Sequence, residues 1–249
     1  MNKFTADDEV LVSPRHLAGG GPNQFRNVLG PLIHMFDWPY THNPSTGHIT
    51  IDSPCGSTFI DFTPTRLDGI WWNISHYEPY WKAQFSRQTP AEALSAITQT
   101  LPQLIGDDRH ARRIPLATNT LPQTADLNSW TTSAEGTATV FTSADGHCAF
   151  THEPDSEVPW RFEHSVYDGF DTHWNATFTQ DTPKQLVAEF FTNLASSEPA
   201  ERVFGDVPYL VRHHSGALIT PVQGAAVNPH VHHAVAQVAQ ACADRTPRR

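Results

Sequence analysis

Trp81-Lys82-Ala83-Gln84-Phe85, with Thr89-Pro90 shortly after it, decides the reading of this chain. The pattern returns as Trp174-Asn175-Ala176-Thr177-Phe178, with Thr182-Pro183 at the same distance. Side chains alternate along a strand, so Trp, Ala and Phe of each copy share one face. Thr89 and Thr182 occupy N-cap positions, each followed by Pro where a helix needs no N–H. Glu92 and Gln185 stand where a capping box would place them. Each copy therefore reads as a strand that turns into a capped helix.

Working outward lengthens the match. Trp72-Asn73-Ile74-Ser75-His76 precedes the first copy, and Trp160-Arg161-Phe162-Glu163-His164 precedes the second. Gly56 and Pro64 have counterparts in Gly146 and Pro154 at identical spacing, which marks an internal repeat. The spacing predicts units at about 48–105 and 137–196, each a four-stranded antiparallel meander with one helix. The second has a longer last hairpin. Units this small bury little surface alone, so the two are expected to share a core. The expected fold class is α+β: two ββββα repeats, followed by a C-terminal hairpin and helix. The segments are 1–105, a Pro/Arg-containing linker over 106–136, the second repeat over 137–205, and a tail over 206–249.

In repeat 1, Ile49, Ile51, Ile60, Phe62, Trp72, Ile74, Trp81, Ala83 and Phe85 fall on the core side. Thr50, Asp52, Phe59, Asp61, Trp71, Asn73, Ser75, Lys82 and Gln84 fall on the other. Repeat 2 offers Arg161, Glu163, Asn175 and Thr177 there, with nothing equivalent to Trp71.

Outside the repeats, Val10-Leu11-Val12 reads as a strand and Gly30-Pro31 as the start of a short helix. Gly19-Gly20-Gly21 lacks the Lys and Ser/Thr of a phosphate loop and reads as flexible chain. Tyr209–His213 and Ala217–Thr220 suggest a hairpin. Asn228-Pro229 opens a last helix with Val231, Val235, Val238 and Cys242, suited to docking on the core or on a second copy.

Charge is uneven. The chain carries 16 basic and 26 acidic residues, a balance of −10. Residues 137–205 hold three basic and eleven acidic residues of these, so repeat 2 repels a phosphate backbone. Three cysteines without ligand spacing read as reduced thiols of a cytoplasmic protein, and no apolar run reaches membrane length. Fifteen histidines raise a metal reading, yet His213, His214, His230, His232 and His233 lack a third ligand at helical spacing, so neither metal nor cofactor is expected.

The start Val10-Leu11-Val12-Ser13-Pro14-Arg15-His16-Leu17-Ala18-Gly19-Gly20-Gly21, together with Trp-x-Ala-x-Phe-x3-Thr-Pro, resembles a tandem-repeat family of filamentous actinobacteria. That family is a domain of unknown function, number 317. The resemblance implies the tandem architecture and carries no activity. A ββββα unit used twice is also similar in topology to PUR and Whirly-type folds, which bind single-stranded nucleic acid.

No nucleophile–base pair can be assembled, so a non-enzymatic binding protein is expected. Phe59, Trp71, Asn73, Lys82 and Gln84 on the outer face of repeat 1, with Arg112 and Arg113 of the linker, suit single-stranded DNA or RNA. Aromatic rings accept bases and cations accept phosphates. The alternative is a protein-interaction module using the acidic second repeat, with homo-oligomerisation left open.

Overall fold

The computed structural model describes residues 4–21, 24–167 and 173–222. Chain order runs β1 (Glu9–Ser13), α1 (Phe25–His34), β2 (Tyr40–Asn43), β3 (His48–Asp52), β4 (Thr58–Phe62), β5 (Ile70–Tyr77), β6 (Tyr80–Ser86) and α2 (Ala91–Leu104). It continues through α3 (Leu121–Leu127), β7 (Thr131–Glu135), β8 (Ala138–Thr142), β9 (Cys148–His152), β10 (Trp160–His164), β11 (Trp174–Phe178) and α4 (Lys184–Ala195). Last come β12 (Ala200–Val203), α5 (Tyr209–Arg212) and β13 (Leu218–Pro221).

The repeats are joined edge to edge. β6 pairs antiparallel with β11, giving one sheet of ten strands in the order β2-β3-β4-β5-β6-β11-β10-β9-β8-β7. The alternation read from Trp81 and Trp174 places its residues as expected: Trp81, Ala83, Phe85, Trp174, Ala176 and Phe178 are all buried on one face. α2 and α4 lie over that face and pack on each other. Ala93, Leu94, Ile97 and Leu101 from α2 join Leu186, Phe190 and Leu194 from α4 in a single core that takes side chains from both repeats. β12, β1 and β13 form a small second sheet with its own cluster around Val10, Val12, Leu17, Phe204 and Val211.

Several expectations change. Each meander has five strands, because β2 and β7 precede the four legible ones. Both are outermost and fully exposed, so they carry no apolar alternation to read. The 106–136 segment is no plain linker: it holds α3 and β7, and α3 carries the capping box, between Thr120 and Gln123. Neither repeat helix forms one. Pro90 and Pro183 are the N-caps, without side-chain cap bonds. Glu92 instead receives two bonds from Arg202, at 2.6 and 2.7 Å, and Gln185 donates to Ala117 O at 2.9 Å. Tertiary partners have taken the side chains that a local box needs.

α1 starts at Phe25, with Pro31 inside it rather than at its head. The expected tail hairpin is α5 followed by β13, and β13 pairs with β1. The triple glycine is tightly packed rather than loose. A Cβ on Gly19, at φ 66°, would meet Pro208 Cγ at 2.6 Å, and one on Gly20 would meet Thr89 O at 2.8 Å. Arg202, 1% exposed, fixes the same loop by donating to Ala18 O and Gly19 O. The Asn228–Cys242 helix and part of the lengthened second hairpin lie outside the described residues.

Candidate functional site

The outer face of repeat 1 is built by alternation. Phe59, Asn73, Lys82 and Gln84 stand on β4, β5 and β6 in register: Asn73 lies opposite Asp61 and Gln84, and Ser75 lies between Phe59 and Lys82. Gln84 Nε2 donates to Asn73 Oδ1 at 2.9 Å, while Asn73 Nδ2 is buried without a partner among the described residues. Phe59 is half-buried, and Lys82 has no ion-pair partner among the described residues. Acids stand on the same face, with Asp61 holding the Thr63 hydroxyl at 2.6 Å.

Trp71 is elsewhere. Between Ile70 and Trp72 a bulge gives β5 one residue more than β6, which breaks the alternation there. The indole packs against the main core, edge-on to Phe62 at 6.1 Å, with the Arg87 guanidinium 4.9 Å above it. It lines a cleft of about 390 Å³ shared with Gly20, Arg87, Gln88, Tyr209 and Arg212. The position was legible as special, being an extra aromatic beside Trp72, but the bulge that re-aims it was not. Arg87 and Tyr209 are the site residues that alternation could not find, since both come from outside the strand faces.

The linker arginines also part company with Lys82. Arg112 is exposed on the turn that follows α2. Arg113 lines a cavity of about 410 Å³ on the helical side, between α2 and α4. The sheet therefore separates both cavities from the Asn73–Gln84 surface, and the seven expected residues do not form one patch.

A histidine cluster lies where the loop after β1 meets repeat 2. His16 Nε2 is 2.9 Å from Asp145 Oδ2, and the Ser143 hydroxyl donates to the other carboxylate oxygen at 2.6 Å. His164 stacks on Trp174 at 5.5 Å, and its ring lies 5.4 Å from that of His16. Burial pushes His164 down to about 2 and His173 down to about 4. His16 holds the Asp145 carboxyl far below its usual range, against the effect of burial. No group of three or more metal-ligating side chains forms a site among the described residues.

The SPDY family model, described as a domain of unknown function (DUF317), matches residues 52–103 and 142–200. Both repeats match the DUF317 model. The first match runs from the end of β3 into α2, and the second from the end of β8 to β12, so the tandem arrangement expected from the motifs holds. No curated protein and no solved structure matches the chain, so the PUR and Whirly-type likeness gains nothing from that side. No helix among the described residues is long and apolar enough to cross a membrane.

Proposed function

We propose that this is a non-enzymatic, cytoplasmic binding protein that takes single-stranded DNA or RNA at repeat 1. The observation that carries the reading is the Trp71 cleft: an indole already stacked by one arginine, beside a second arginine and the 70% exposed Tyr209. Aromatic surfaces next to guanidinium groups suit bases and phosphates together. Repeat 2 lacks the platform and carries the acidic excess, so it is assigned no contact. Cys55 and Cys148 are free thiols, in keeping with a reducing compartment.

Fluorescence anisotropy with single-stranded and duplex oligonucleotides, across a salt series, tests this. Trp71→Ala should weaken single-strand binding roughly five- to a hundredfold, the loss of about 1–3 kcal/mol of stacking. Since Trp71 also touches the core, Arg87→Ala serves beside it and should reduce both affinity and salt dependence. Wild type that fails to bind at low salt removes the nucleic-acid reading. The alternative would then stand, a protein-interaction module supported by the acidic repeat and by exposed Tyr209, Leu210 and Leu218.

A further inference from the structure

The larger cavity belongs to neither sheet face. It lies over the seam of α2 and α4, closed on one side by Arg113, Ile114 and Pro115 of the connector. Its volume, about 410 Å³, falls in the range of small-molecule sites, which favour the junction of two structural units.

Two of the four charged residues on its wall are already engaged. Glu92 gives both carboxylate oxygens to Arg202. Arg15 donates to Asn193 O and to Glu198, each at 3.0 Å. Two charged groups remain. Glu189, only 6% exposed in the middle of α4, uses Oε1 alone, accepting from the Ala117 N–H and from Gln185 Nε2. No described residue bonds its Oε2, and no cation pairs with it. Arg113 is exposed at the rim, and its guanidinium has no partner among the described residues. A buried carboxylate without a cation is costly and is usually matched. Two further wall residues hold buried polar atoms without a partner among the described residues, Ser95 Oγ and Arg15 Nε. Gln99 and Asn27 add neutral amides to the wall.

We propose that this cavity binds a small zwitterion bearing an ammonium and an acid group, as a free amino acid does. The ammonium pairs with Glu189 Oε2 and the acid with Arg113, while the amides hold the remainder. A ligand of one sign would gain at one end and be repelled at the other; a zwitterion gains at both.

The full chain should be screened by thermal shift and calorimetry against the common free L-amino acids at millimolar concentration. Putrescine and inorganic phosphate serve as probes of a single sign. The expected result is a raised Tm with at least one amino acid and a weaker response to either single-sign probe. Glu189→Gln keeps the acceptor that holds Ala117 and should cost about tenfold or more in affinity, as should Arg113→Ala at the exposed rim. If Glu189→Gln fails to fold, Arg113→Ala decides alone. No binding by any amino acid overturns the proposal. So does affinity unchanged in the variants, or putrescine or phosphate binding as tightly as the best amino acid.

Discussion

Each repeat places a histidine opposite the tryptophan of its motif, and the two pairs have the same shape. His76 stacks on Trp81 at 5.7 Å and 5°, and His164 on Trp174 at 5.5 Å and 3°. Their surroundings differ. His76 is half-buried and its Nδ1 meets Pro79 O at 2.8 Å, close to solvent. His164 is fully buried, 3.3 Å from His173 between Nδ1 atoms, beneath the loop that carries His16. That loop is anchored to repeat 2 by Trp174, whose Nε1 donates to His16 O at 2.9 Å. The small sheet thus converts one of two equivalent pairs into a buried, uncharged site. Position in a repeat sets geometry, and what covers it sets chemistry.

The largest expected effect tests the anchor. Trp81→Ala and Trp174→Ala should each cost about 3–5 kcal/mol, as loss of a buried aromatic does. Trp174→Ala should cost more by about 0.5–1.5 kcal/mol, the worth of the bond to the loop. Denaturant unfolding measures both, and equal losses would show that the loop draws no stability from repeat 2.

Acid should separate the pairs next. His164 and His173 bind their protons less readily in the folded chain than in the unfolded one, whose histidines titrate near 6.5. The unfolded state therefore holds more protons, and stability falls as pH drops below about 6.5, by up to about 1.4 kcal/mol per pH unit for each histidine. The slope should weaken for His173 near pH 4 and persist lower for His164. Unfolding free energy measured from neutral to acid pH should show a shallower slope for His164→Gln than for the wild type. An unchanged slope would mean that the covered histidine is solvated.

The smallest effect concerns the two threonines that look like caps. Thr89 Oγ1 donates to Asn175 O at 3.3 Å, across the join between repeats, whereas Thr182 Oγ1 is buried without a partner among the described residues. Thr89→Val should lower stability by about 0.5–1.5 kcal/mol, and Thr182→Val should leave it unchanged or slightly raised. Thermal melts of the two variants compare them directly.

What was legible followed from short-range pattern. Trp81, Ala83 and Phe85 announce their face because a strand's period is two, and Leu94, Ile97 and Leu101 announce a helix stripe. Polar, exposed β2 and β7 gave no such signal. The caps are not legible locally because Glu92 is claimed by Arg202, 110 positions away, which no local rule contains. At the candidate site, Asn73, Lys82, Gln84 and Phe59 fell on one face as expected. Trp71 did not, because a bulge depends on how two strands meet. Arg113 did not, because the connector passes over the helices rather than beneath the sheet.

The join between β6 and β11 has a further meaning. Ala176 stands opposite Phe85, Phe178 opposite Ala83, and Thr177 opposite Gln84 at the centre. Exchanging the two strands returns the same ladder: alanine meets phenylalanine on both sides of the middle pair. That is the requirement for an isologous contact between identical subunits, in which each partner offers the other the same surface. A lone unit carrying Trp-x-Ala-x-Phe would offer a second copy of itself both halves of this ladder. Fusion of two such units in one gene would keep the contact and remove its dependence on concentration. It would also free the two copies to diverge, one toward an acidic surface and a buried histidine, the other toward an open cleft.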